Sequence, residues 1–209
     1  MNLRCLAVML CGLQLPLLIG GCAANRERGT SARFGPVREN VLPFSVPCVM
    51  HCFQFRTGAV FVIGHGPATT DKEFARDSGR AEAAGGVDLW AHGGKTGISQ
   101  IVGEGCLFTR DLPGLSWEKT TPAEVLERMK SARFVVKPKA RGPNSPFAAA
   151  TAGAVGLLEP DDKDLPMTCL FKTARGAVGI MEILGVAEDK QGVSVMGAAM
   201  KFRYKLVQP

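Results

Sequence analysis

The residues best suited to chemistry are four cysteines and three histidines that follow the first 22 positions. Cys48, His51 and Cys52 lie within five positions and offer the sulfur and imidazole ligands that zinc prefers. Structural zinc sites usually leave two residues between paired cysteines and add a second pair, whereas three residues separate this pair and no second pair follows. We therefore expect no metal site, and we interpret His65, in Gly64-His65-Gly66-Pro67, as part of a turn.

The only nucleophilic site that the sequence permits is a cysteine and a histidine that folding brings together, such as Cys52 and His92. No serine has the glycine-flanked nucleophile-elbow pattern. The acidic residues Glu104, Asp111 and Glu118 fall in predicted strands and loops, where simple solvation accounts for them. We name no catalytic residue, and an enzyme is the less favoured interpretation.

Gly94-Lys95-Thr96 has the end of a phosphate-loop pattern without its beginning. The full motif needs a glycine five residues before Gly94, so that backbone N–H groups can surround the phosphates. This chain has Leu89 there. We therefore expect no nucleotide and no other cofactor.

The first 22 residues have the organisation of an export signal. A charged start is followed by an apolar run that is too short to span a bilayer, which needs about 20 residues, and that Pro16 interrupts. The run ends in Ile19-Gly20-Gly21-Cys22, which resembles a bacterial lipobox. The resemblance implies that residues 1–21 are a signal peptide and that Cys22 is acylated, with palmitate-type chains, on its sulfur and new amino group.

Export and lipidation predict a protein held at the extracytoplasmic face of the cell envelope, in the periplasm or at the outer membrane. The net charge of +6 is concentrated between residues 128 and 141. A basic excess is typical of nucleic-acid binding, but an exported protein rarely meets nucleic acid, so we expect a solvated helix face instead. The lipid would be the contact with the membrane, an envelope protein is the other expected partner, and the oligomeric state stays open.

An even number of cysteines outside the cytoplasm permits two disulfides, with three connectivities. Cys48 and Cys52 would be about 13 Å apart on a strand, too far to bond to each other. On a strand they would therefore pair with Cys106 and Cys169. Four buried thiols are the equally favoured alternative.

Composition predicts one ordinary domain after the signal, because 46% of the chain is hydrophobic and 21% charged. Residues 22–33 lack apolar periodicity and predict a flexible tether. Residues 34–209 then form a single α+β domain. Within it, the stretch at about 138–166 is rich in proline and small residues and predicts a mobile loop.

Capping boxes predict two helices, one over Asp71–Ala84 after Thr70 and one after Thr121. Alternating hydrophobicity in Cys48–Arg56 and a more apolar run at Ala59–Ile63 predict a hairpin, whose second strand should be the more buried. We expect an antiparallel sheet covered by both helices.

The last forty residues predict a three-stranded antiparallel meander over Thr168–Thr173, Ala177–Ala187 and the segment that ends in Leu206. In that last segment, apolar residues alternate strictly with three cations, which predicts one buried and one basic face. Positive charge on a strand often protects a sheet edge, so we interpret the three cations as edge protection: Lys201, Arg203 and Lys205.

The tail resembles a domain family of bacterial envelope proteins that also occurs attached to membrane metallopeptidase-like receptors. The resemblance rests on Phe171-Lys172-Thr173-Ala174-Arg175-Gly176, a Phe-Lys-Thr-x-x-Gly turn, and on Arg203-Tyr204-Lys205-Leu206-Val207. Ala174 and Glu182 depart from the family pattern. The family has no catalytic residues to transfer, so the resemblance implies a module that faces a ligand or partner.

These observations together predict a lipid-anchored envelope protein whose non-catalytic domain binds a ligand or a partner, in a sensory or accessory role. The alternative is a hydrolase-like envelope enzyme that uses a Cys/His or carboxylate site. A pocket that gathers such residues with displaced pKa values would favour the enzyme.

Overall fold

The computed structural model describes residues 31–46, 49–64, 69–103, 106–109, 112–132, 136–137, 155–188 and 197–209. The predicted signal peptide, Cys22, most of the tether, Cys48 and His65 lie outside these residues, as do Glu104 and Asp111.

The described residues are mostly strand, with two α-helices. The helices are α1 (Asp71–Ala83) and α2 (Pro122–Ser131), and one short 3-10 helix covers Asp162–Asp164. In chain order the strands are β1 (Arg33–Phe34), β2 (Arg38–Pro43), β3 (Val49–Phe53), β4 (Val60–Gly64), β5 (Leu89–Gly94), β6 (Gly97–Gly103), β7 (Leu107–Thr109), β8 (Val136–Lys137), β9 (Val155–Leu158), β10 (Met167–Lys172), β11 (Val178–Glu188) and β12 (Ala198–Gln208).

The strands divide between two antiparallel sheets, where the sequence predicted one. The first sheet has the order β1-β12-β11-β10-β7, with β2 also paired to β12. The second has the order β4-β3-β5-β6-β9-β8. The α+β class is confirmed, and the three C-terminal strands are consecutive antiparallel neighbours in the first sheet.

The main core is formed by side chains from both sheets, so the two sheets face each other. Phe53 of β3 meets Phe202 of β12 edge to face, with ring centroids 5.0 Å apart. Phe55 stacks on Phe171 of β10 at 3.8 Å. These rings are completely buried, and burial of aromatic surface of this size is a large part of what holds such a sandwich together.

Each helix covers the outer face of a different sheet. Both begin with the predicted capping box: the Thr70 hydroxyl accepts from the Glu73 N–H, and Thr121 does the same for Glu124. Ala81 of α1 packs on the second sheet and Val125 of α2 packs on the first. The arrangement is a four-layer helix–sheet–sheet–helix stack.

The cations of β12 do not protect an edge, because β12 pairs with β11 on one side and with β1 and β2 on the other. Two of them, Arg203 and Lys205, lie around one indole, whereas Lys201 lies 4.0 Å from the Glu39 carboxylate. The Arg203 guanidinium and the Lys205 ammonium each lie 4.5 Å from the Trp117 ring centroid. Lys205 also donates to the Trp117 carbonyl at 3.0 Å, and Arg203 pairs with Glu182 at 2.7 Å. The sequence interpretation as edge protection is wrong because strand order depends on distant parts of the chain.

The predicted hairpin of β3 and β4 is confirmed, but its burial is reversed. β4 is the edge strand, and Val60 and Val62 are 40% and 50% exposed. β3 lies inside the sheet and is almost fully buried. An apolar strand at an edge has a neighbour on one side only, which the composition of Ala59–Ile63 does not reveal.

The predicted mobile loop at 138–166 is wrong over its last part. Val155–Leu158 forms β9, which pairs with both β6 and β8. Leu158 is 2% exposed and belongs to the core between the sheets. Residues 138–154 of that prediction lie outside the described residues.

Candidate functional site

A cleft of about 340 Å³ opens at one end of the sandwich, where loops from both sheets meet. The second sheet contributes the turn after β3 and the loop before β5, and the first sheet contributes the turn between β10 and β11. Its lining residues are Gln54, Arg56, Gly85, Asp88, Thr173, Arg175, Gly176 and Ala177.

Gln54 fixes the wall formed by the second sheet. Its amide nitrogen donates to the carbonyls of Ala84 at 3.1 Å and of Gly86 at 2.7 Å, which ties the end of α1 to the turn after β3. Its amide oxygen accepts from the Thr57 hydroxyl at 2.6 Å. With both ends of the amide engaged, the 2% exposed Gln54 is a structural support of the cleft.

Asp88 forms the acidic part of the cleft. Its Oδ2 accepts the backbone N–H of Phe55 at 2.8 Å, and the Asp88 N–H donates to the Phe53 carbonyl at 2.9 Å. Burial raises the pKa of the Asp88 carboxyl to about 6, and the Phe55 hydrogen bond and the charge of Arg175 oppose the rise. This carboxyl therefore changes charge close to neutral pH.

The turn between β10 and β11 forms the opposite wall. The Thr173 hydroxyl accepts the Ala177 N–H at 3.1 Å, and the Gly176 N–H donates to the Thr173 carbonyl at 2.9 Å. Gly176 adopts a φ of 81°, which favours glycine. These contacts hold Arg175 at the tip of the turn, where its side chain reaches across to the second sheet.

Gly85 lets the two walls approach each other. A Cβ at this position would lie 2.7 Å from the Gln54 amide nitrogen and 3.0 Å from Nη1 of Arg175, and the φ of 117° is one that side chains rarely adopt. The backbone of Arg56 is held in turn by the first sheet, since Nη1 of Arg38 donates to its carbonyl at 3.0 Å. The cleft is therefore built by contacts between the two sheets.

The catalytic cysteine–histidine pair considered from sequence is not exposed in this cleft. Cys52 is completely buried and packs among the residues that α1 covers. His92 lies on β5 with its ring 4.5 Å from Trp90 and its Nδ1 3.0 Å from the Ser45 carbonyl. His51, 1% exposed, has its Nδ1 3.3 Å from the Phe44 carbonyl. The structure thus places these histidines in strand packing.

Cys106 and Cys169 are thiols, both completely buried between the sheets. Burial raises the pKa of each thiol, and the charges of Asp88 and Cys169 add to the rise at Cys106. Of the two alternatives left open by the sequence, disulfides or buried thiols, the structure has buried thiols at these two positions. Each sulfur packs as a small apolar group away from water, so an even number of cysteines does not lead to disulfides here.

The other sequence motifs have structural roles among the described residues. Gly94-Lys95-Thr96 forms the tight end of the β5–β6 hairpin, where β5 pairs with β6 in the register Gly94 to Gly97. Glu118, one of the acids considered for catalysis, pairs with Arg203 at 3.4 Å. No group of three metal-binding side chains occurs in the described ranges.

Sequence reasoning missed the acid and the two arginines of the cleft, namely Asp88, Arg56 and Arg175. Arg56 ends a predicted strand and Arg175 lies in a predicted turn, and their distance along the chain from Asp88 hides the proximity of the three. One signal was available, because Arg175 and Thr173 belong to the Phe-Lys-Thr-x-x-Gly turn of the resemblance.

Comparison with known proteins gives no match: no family model, no curated protein and no solved structure is significantly similar to this chain. The resemblance of the tail therefore stays a prediction. Within the described residues, no helix has the length and apolar character needed to cross a membrane. The fold and the cleft define an α+β sandwich with a pocket at one end that two arginines and one aspartate line.

Proposed function

We propose that this chain is a lipid-anchored protein of the bacterial cell envelope whose sandwich domain binds a small ligand in the cleft, without transforming it. Acylated Cys22 would hold the domain at the extracytoplasmic face, and the tether would let the cleft reach its ligand. An envelope protein that reads the occupied state is the expected partner.

The observation that supports binding most directly is the way the cleft is built. Loops from both sheets meet there, their backbones are fixed by hydrogen bonds, and the charged side chains of Arg56, Asp88 and Arg175 line the space. Rigid walls with a few convergent polar groups are typical of small-molecule sites.

The anchoring part is tested by the intact mass of protein extracted from its native membrane. We expect cleavage before Cys22 and the added mass of acyl chains, both absent in a Cys22→Ser variant. An unmodified chain that still begins at Met1 would contradict the anchor.

The binding part is tested by melting curves of the detergent-extracted full chain with anionic, cationic, zwitterionic and neutral small molecules. We expect at least one charge class to raise the melting temperature, because a ligand stabilises the folded state to which it binds. The Arg56→Gln/Arg175→Gln double variant should lose this shift. Lys95→Gln, which also removes one positive charge but at the opposite end of β5, should keep it. Wild-type melting curves that no compound of any charge class shifts would contradict the proposal.

An envelope hydrolase that uses a carboxylate is the second candidate, and the pKa of about 6 at Asp88 favours it. Asp88 would act as a general acid or base. Among the cleft-lining residues, however, no second carboxylate accompanies it, and the nearby Cys106 thiol is buried with a raised pKa. Turnover of chromogenic esters or amides that disappears in Asp88→Asn, and not in Lys95→Gln, would favour the enzyme over the binding module.

A further inference from the structure

We propose that the cleft selects a compact anion that carries its own hydrogen-bond donor beside the charge, such as a hydroxycarboxylate or a sugar phosphate. The inference deepens the proposed function and rests on it, because it names the chemical class of the ligand.

Two guanidinium groups supply the anion recognition. Arg56 and Arg175 come from different sheets and face the same cleft, and both residues are exposed. Within the described part of the chain, neither guanidinium forms an ion pair at 4 Å or less. An arginine fork gives parallel hydrogen bonds to a carboxylate or phosphate. Two such forks, neither of them paired at 4 Å or less with a carboxylate of the described residues, are therefore open to an anionic ligand.

Asp88 explains why a negative charge on the ligand is not sufficient for tight binding in the cleft. Its Oδ2 is occupied by the Phe55 N–H, whereas no described residue donates to Oδ1. Above its pKa, this carboxylate repels a bare anion that approaches the arginines. A hydroxyl or amino group on the ligand would instead donate to Oδ1, which converts the repulsion into a hydrogen bond.

The other residues that line the cleft are consistent with a ligand that has one anionic group and one hydrogen-bond donor. The Gln54 amide is saturated by backbone carbonyls and by Thr57, so it adds little to recognition. The Thr173 hydroxyl accepts from Ala177 and keeps its own proton to donate. A volume of about 340 Å³ is at the small end of ligand pockets, which fits a metabolite of a few to about twenty heavy atoms.

Matched probes separate the charge from the donor. Titration calorimetry on the detergent-extracted full chain at pH 7.5 would compare lactate with propanoate, which lacks the hydroxyl, and glucose 6-phosphate with glucose and with sulfate, which has no hydrogen-bond donor. We expect the donor-bearing anion of at least one set to bind about tenfold tighter than its partners.

Variants assign the preference to residues. Arg56→Gln and Arg175→Gln should each weaken the preferred probe about tenfold, and Lys95→Gln should not. Asp88→Asn keeps an oxygen for the Phe55 N–H but loses the charge, so it should raise propanoate or sulfate binding towards that of the donor-bearing probe. Unchanged fluorescence of Trp90 and Trp117 would show that the variants fold.

Two results overturn the inference and remain distinguishable. If glucose or a diamine such as putrescine binds in the cleft and the arginine variants retain that binding, the ligand class is wrong and the binding function stands. If no probe of any charge binds and the cleft variants leave every melting curve unchanged, both the inference and the proposed function are wrong.

Discussion

The phenol of Tyr204, in the first sheet, donates a 2.8 Å hydrogen bond to the backbone carbonyl of Phe55, which follows β3 of the second sheet. The N–H of the same Phe55 donates to Asp88 at 2.8 Å. The carbonyl of Phe55 is thus held by a tyrosine of the core, and its N–H is held by the cleft residue Asp88. Packing between the sheets therefore sets the position of the Asp88 carboxylate.

Removal of this hydroxyl should lower stability without loss of packing. Tyr204→Phe keeps the edge-to-face contact of the rings, 5.0 Å apart, but leaves the Phe55 carbonyl without its buried donor. We expect the free energy of unfolding to fall by about 1–3 kcal/mol in urea titrations. Ser131→Ala, which removes an exposed hydroxyl, should change it by less than about 0.5 kcal/mol. Equal stability of Tyr204→Phe and wild type would show that the bond between the sheets contributes nothing.

Asp88 should make the folded state more stable in acid. Its pKa is about 6 when folded and its ordinary value is 3.8, so the folded protein retains a proton that the unfolded chain releases. This contribution to stability is complete below about pH 4, falls as the pH rises to about 6, and then stays lost, with a total of no more than about 3 kcal/mol.

The Asp88→Asn variant isolates that effect, because Glu73 and Glu124 have lowered pKa values and act in the opposite direction. The stability of the variant minus that of wild type should increase between pH 4 and 6 and be level above that range. A difference that is flat over the whole range would contradict the burial of Asp88.

The buried cysteines should resist thiol reagents. Burial raises the pKa of Cys106 and Cys169, and the thiolate is the reactive form. We expect iodoacetamide to leave both unmodified in the folded protein and to modify both within minutes in denaturant, as peptide mass spectrometry would show. Modification at equal rates in both conditions, or a disulfide at either residue, would contradict their placement.

Gly85→Ala tests how closely the two walls of the cleft approach each other, and Gly79→Ala is its matched control. Gly85→Ala should destabilise the protein by about 1–3 kcal/mol and reduce ligand binding, because its φ is 117° and its Cβ would press on Gln54 and Arg175. Gly79→Ala lies in α1 with no atom within 4 Å of its Cβ, so we expect stabilisation of about 0.5–1 kcal/mol. The same sign of change in both variants would contradict the approach of the two walls at Gly85.

Sequence signals that span a few residues predicted the structural features that depend on neighbouring residues. The caps at Thr70 and Thr121 lie within four residues of the groups that they bond, so both helices follow from sequence. The division into two sheets depends on pairing between distant strands, such as β2 with β12, and hydrophobic periodicity carries no strand order. That is why Lys201 and its neighbours were assigned to an edge.

The candidate site was least predictable because its parts are far apart in the chain. Arg56, Asp88 and Arg175 fall in three turns, and none belongs to a motif with a known chemistry. The raised pKa of Asp88 comes from burial by other segments. Cysteines and histidines are candidates for catalysis or metal binding by residue type, yet most of those in the described residues pack within the strands.

Hydrogen-exchange mass spectrometry of the full chain, with and without a saturating donor-bearing anion, tests the central claim most directly. We predict that slowed exchange is confined to the three loops of the cleft, around residues 54–58, 85–88 and 173–177, and that it disappears in Arg175→Gln. Protection elsewhere on the sandwich, or protection that persists in Arg175→Gln, would contradict a binding site at this end of the fold.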